Sequence, residues 1–184
     1  MGIFSRSGGG GGSVSSGGGG GFGLVDAPAM RKAFERFMDE KGVKYSVLDE
    51  DDNIVYLSFG GSKYETFVFV DFDENVPCNS AHFSSNGFAK IIPGKNAEAL
   101  VKLNELNRRF RWVKFWMDGD GIFTADCDAI VELGSVGDEC VNMAFRLSNI
   151  TEDALDELQG IATVNKEQKD QFDLVAAIKR MGAL

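Results

Sequence analysis

Between Leu103 and Phe123 the chain reads LNELNRRFRWVKFWMDGDGIF, and that order of residues leaves few architectures open. Leu100, Leu103, Leu106 and Phe110 recur at helical spacing and form one apolar stripe. Asn96, after the Pro93-Gly94 break, is a plausible N-cap, and the helix this predicts runs to about Arg109. Immediately afterwards the period changes. Trp112, Lys114 and Trp116 alternate with Val113, Phe115 and Met117, as the two faces of a strand require. Asp118-Gly119-Asp120-Gly121 is a tight-turn signal. A second strand over 122–133 sets Phe123, Ala125, Cys127, Ala129 and Val131 against Thr124, Asp126, Asp128 and Ile130. A helix that feeds straight into a hairpin predicts an antiparallel sheet with helices laid on one face, the α+β class.

The flanking segments extend this pattern. Residues 7–23, SGGGGGSVSSGGGGGFG, have almost nothing to bury, so residues 1–25 are expected to form a disordered Gly/Ser-rich tail. No strand precedes those glycines, so they fail the context that dinucleotide binding needs. Asp26 caps a helix carrying Met30, Phe34, Phe37 and Met38, and Gly42 stops it. Strands are predicted over 43–48, 54–59, 64–72 and 81–89, joined by the acidic turn DEDDN at 49–53, by Gly60-Gly61 and by a polar turn at 73–79. The third strand is apolar on both faces, with Phe67 and Phe69 on one and Val68, Val70 and Phe72 on the other. It is therefore central or covered on both sides. Beyond the hairpin, Val141, Met143, Phe145 and Leu147 fall at period two and predict a strand over 139–147 that carries Asn142, Ala144 and Arg146 on its other face. Thr151 then caps a helix with Ala154, Leu155, Leu158 and Ile161. A last amphipathic helix over 165–182 carries Phe172, Leu174, Val175 and Ile178. The expected order is helix, strand meander, helix, second meander, helix, in a single domain over 26–184.

Charge and motifs narrow the function. The chain has 184 residues and a net charge of −9, so its surface repels phosphate backbones and anionic headgroups. Neither nucleic acid nor a membrane is an expected partner, and no apolar run reaches the ~18 residues of a membrane span. Cys78, Cys127 and Cys140 are too few and too far apart for a zinc ribbon or a disulfide scaffold. They read as buried free thiols of a cytoplasmic protein, with Cys127 and Cys140 as candidate neighbours on adjacent strands. His82 has no second histidine near it. The DGDG run lacks the carboxylate a calcium loop needs at its twelfth position. No nucleophile elbow, phosphate loop or metal spacing occurs, so no catalytic, cofactor or metal residue is expected and the chain reads as a non-enzyme. Arg108, Arg109 and Arg111 suit a helix C-terminus, where the dipole favours cations. Asn104 and Asn107, three apart, are expected to tie the helix to a strand through their amides.

The run LNELNRRFRWVKFWMDGDG, the alternating strand after it and RLSNITEDALDEL together resemble the YbjN family of bacterial sensory-transduction regulators. The resemblance spans roughly 26–165. It rests on Asn104 and Asn107, on Trp112, Phe115 and Trp116, and on Thr151. None of these is a catalytic signature, so the resemblance transfers no functional residue. It implies an antiparallel sheet with packed helices, a fold similar to type III secretion chaperones, and a non-enzymatic, often dimeric, protein-binding role. The residues point the same way independently. One face of the second meander mixes Trp112, Trp116 and Ile130 with Lys114, Thr124, Asp126, Asp128, Asn142 and Arg146, the composition of an interface. Trp112, Lys114, Trp116 and Arg146 are the expected protein contacts, with a homodimer as the simplest assembly. The competing reading is a small enzyme or ligand-binding domain that uses Asp126 and Asp128 with Lys114 and Arg146 on neighbouring strands.

Overall fold

The computed structural model describes residues 25–47, 53–72 and 79–166. The glycine-rich tract, most of the DEDDN turn, Cys78 and the expected last helix from residue 167 onward lie outside the described residues.

Helix α1 (Ala27–Lys41) starts and stops as its caps dictate. Asp26 accepts a hydrogen bond from the Ala29 N–H at 2.7 Å, and Gly42 closes the helix in the left-handed conformation at φ 66°. Met30, Phe34 and Met38 form its buried stripe. Strands β1 (Tyr45–Val47), β2 (Ile54–Gly60), β3 (Glu65–Asp71) and β4 (Ser80–Ile91) follow as an antiparallel meander. Helix α2 (Asn96–Arg109) then leads through a turn into the hairpin of β5 (Lys114–Met117) and β6 (Ile122–Ile130). In that turn Asp118 Oδ1 accepts from the N–H groups of Asp120 and Ile122, which fixes the strand register. Helix α3 (Val136–Glu157) and the short strand β7 (Ala162–Val164) complete the described chain.

The strand order is β1-β2-β3-β4-β6-β5, all antiparallel, with β7 also paired to β4. The predicted class and the order of helices and meanders are those observed. The three helices share one core with one face of the sheet. Val55, Leu57, Val68, Val70, Phe83, Cys127, Ala125 and Phe115 alternate inward and pack with Phe34, Leu106, Cys140, Leu147 and Leu155. The ring pairs Phe34–Phe72 and Phe88–Phe115 lie edge to face within that core. At the α1–α3 crossing Gly137 is in contact with the Phe37 ring, and a Cβ there would collide with it.

The expected strand over 139–147 is corrected: the segment lies inside the 22-residue helix α3. Val136, Cys140, Ala144, Leu147, Thr151, Ala154 and Leu158 recur every three or four residues and bury a continuous stripe. Thr151 is consequently no cap. It is buried in mid-helix, and its Oγ1 donates to the Leu147 carbonyl at 2.8 Å. Cys140 is therefore on a helix and not on a strand beside Cys127. Likewise α2 takes Lys95, not Asn96, as its cap residue, and Leu100 of the expected stripe is exposed while Ala99 is buried in its place.

Candidate functional site

The described helices occupy one sheet face, and the opposite face, open among the described residues, carries Lys114 and Trp116 of the residues expected to make contacts. Register places Ser46, Tyr56, Phe69, Ser84, Asp126 and Lys114 in one row across six strands. A neighbouring row holds Ile54, Asp71, His82 and Asp128. On the β5–β6 side the Trp116 indole N–H donates to Asp126 Oδ2 at 2.7 Å, and Lys114 stands opposite the same carboxylate. His82 Nδ1 lies 2.9 Å from Asp128 Oδ1. Trp116 is 45% exposed and Ile130 78%, so two large apolar side chains border a small group of polar side chains. The bond to Asp126 holds the exposed indole in one rotamer.

Of the predicted contact residues, the structure brings Lys114 and Trp116 together and leaves two apart. Trp112 is in the turn before β5, not in the strand, and is 42% exposed. Arg146 is an exposed residue of α3, in the helix layer. The expected pairing of Lys114 with Arg146 on neighbouring strands is thus corrected, because the segment of Arg146 winds as a helix. Asn142 leaves the sheet face for the same reason. Of the arginines at the end of α2, Arg109 pairs with Asp153 and Glu157 of α3 and ties the two helices together.

The carboxylates expected to act as an acid–base pair are engaged at the surface, Asp126 by an indole and Asp128 by an imidazole. Neither of the two clefts described lies over them. One, of about 460 Å³, runs between α1 and α3 past Arg36, Phe37 and Leu133. The other, of about 340 Å³, runs beside the Asp118–Gly121 turn. Among the described residues no three His, Cys, Asp or Glu side chains converge as metal ligands would. Cys127 and Cys140 are buried free thiols. Burial pushes the Cys127 thiol up to about 12, and it raises that of Cys140 as well, so both are protonated at neutral pH. No helix among the described residues is long and apolar enough to cross a membrane.

A model of the YbjN family, described as "Putative bacterial sensory transduction regulator", matches residues 31–159. This chain belongs to the YbjN family. The match starts within α1 and ends just after α3, so it takes in β1 to β6, α2 and α3. Among solved structures the chain is similar to the crystal structure of YbjN, "a putative transcription regulator from E. coli". That similarity has a TM-score of 0.50 at 13% identity and covers 72% of this chain and 94% of that one. At that identity it speaks for the fold. Among curated proteins none matches.

Proposed function

We propose that this YbjN-family chain is a non-enzymatic regulatory protein that works by binding protein through the β5–β6 half of its open sheet face, first of all a second copy of itself. The observation that carries the reading is the exposure of Trp116 and Ile130 on a strand pair whose other face is fully committed to the core. Exposed aromatic and aliphatic anchors with polar groups between them are what a two-fold contact uses. The family description as a sensory transduction regulator supports a regulatory role. Two buried, unpaired thiols suit a reducing compartment, and we place the activity in the cytoplasm.

Light scattering on the purified full chain tests this. The expected result is a dimer at micromolar concentration that the double variant Trp116→Ala/Ile130→Ala converts to monomer. Truncating an anchor costs about 2 kcal/mol or more of association. The thermal unfolding midpoint should barely move, because both side chains are exposed. A wild-type monomer, or a double variant that unfolds, would overturn the proposal.

A further inference from the structure

The open face has a second half that differs from the first. Around β5 and β6 its large side chains are exposed, but around β2 and β3 they are not. Tyr56 and Phe67 are only 6% and 3% exposed. They belong to the face turned away from the three helices, and both stand outside the cluster those helices share with the sheet. Tyr56 packs edge to face on Phe69, with ring centroids 4.6 Å apart. Flanking strand residues do not reduce an aromatic ring on a sheet face to a few per cent exposure, so this patch requires a cover.

The path of the chain indicates which segment supplies it. β3 and β7 occupy the same edge of β4, end to end. β3 pairs with His82–Ser84 and β7 with Ala89–Ile91, while β6 holds the other edge. Asn165, just after β7, donates its N–H to the Phe88 carbonyl at 3.1 Å and heads along β4 towards β3. After Lys166 that lane is taken by β3 itself. On the helix side α3 blocks the way, with Ser148 Oγ 2.6 Å from Thr66 Oγ1 of β3. The side left without a described helix is the one that carries Phe67. The segment that follows, 167–184, is the one whose sequence spaces Phe172, Leu174, Val175 and Ile178 as an apolar stripe. As a helix it would be roughly 27 Å long, against a six-stranded width of about 24 Å.

We propose that the C-terminal segment 167–184 docks in cis across Tyr56, Phe67 and Phe69. It covers the β2–β3 half of the open face and leaves the β5–β6 half to a partner. The glycine-rich N-terminal tract carries too few apolar groups to compete.

Photo-crosslinking on the full chain tests the proposal. p-Benzoylphenylalanine replaces Ser58, which shares the open face with Phe67 as its register partner. The expected product is an intrachain crosslink mapping to 167–184. Leu174→Asp/Ile178→Asp should lower its yield on the order of tenfold by placing charge on the apolar stripe. Asp173→Ala, on the opposite side of the stripe, should leave the yield unchanged. A crosslink to a second chain or to residues 1–24, or no crosslink to 167–184, overturns the proposal. Because the readout is intrachain, it stands or falls separately from the dimer measured by light scattering.

Discussion

Two asparagines of one helix show how far side-chain chemistry is legible and where it stops. Both Asn104 and Asn107 carry an amide that could reach a strand, and spacing alone treats them alike. The structure separates them. Asn107 donates from Nδ2 to the Phe115 carbonyl at 2.9 Å and accepts at Oδ1 from the Phe115 N–H at 2.7 Å, while Asn104 faces solvent. The difference comes from the crossing of α2 over β5, which no local pattern encodes. The amide satisfies the outward-pointing backbone groups in the middle of an edge strand, so it also blunts that edge against pairing with another chain. Asn107→Ala should therefore lower stability by about 2 kcal/mol, since it leaves a donor and an acceptor of β5 without partners. Asn104→Ala should change it by less than about 0.5 kcal/mol. Urea denaturation of both variants checks this; equal effects would mean that the Asn107 fork contributes nothing. Trp116 and Trp112 diverge in the same way. The strand alternation was correct for Trp116, but β5 begins at Lys114 and so excludes Trp112.

At the scale of elements the caps of α1, the hairpin turn and most strands were readable because each rests on contacts within a few residues. Helix α3 was not. Its stripe is built partly from Cys140, Ala144, Ser148 and Thr151, small or polar residues that a count of large apolar side chains passes over. Val141, Met143 and Phe145 then mimic a strand. Small residues are what the site demands, because α3 packs closely on α1 and on β3 and β4. One attachment of α3 is electrostatic. Glu152 Oε1 accepts from Ser62 Oγ at 2.9 Å and from the Lys63 N–H at 2.8 Å, and Lys63 Nζ is paired with Asp156. The backbone bond from Lys63 holds the Glu152 carboxyl below its ordinary value of 4.5, and the Lys63 side chain holds Asp156 below 3.8. Carboxyls lowered in the folded state stabilise it fully above their ordinary values and lose that contribution as pH falls through the lowered ones. Glu152→Gln keeps the acceptor oxygen but not the charge. Its melting temperature should fall below wild type at pH 7, and the gap should close on going to about pH 3. A gap that does not change with pH would show that shape, not charge, holds the β2–β3 turn on α3.

For the molecule as a whole, its charge opposes the dimer proposed above. Two copies that each carry a net charge of −9 repel before their apolar anchors meet. On the proposed surface Lys114 stands opposite Asp126 in the strand register of the same copy, and Asp126 is already bonded to the Trp116 indole, so these charges have little to gain from a second copy. If Trp116 and Ile130 supply the association, salt should strengthen it. Raising the ionic strength from about 0.01 to about 0.15 M shortens the screening length from roughly 30 to roughly 8 Å, which removes most of the long-range repulsion and leaves apolar burial untouched. If the copies were instead held by charges reaching across the contact, the same salt would weaken them. Sedimentation equilibrium at the two salt concentrations distinguishes these cases. We expect the dimer dissociation constant to fall as salt rises, and a rise would move the contact away from the Trp116–Ile130 surface to a charged one.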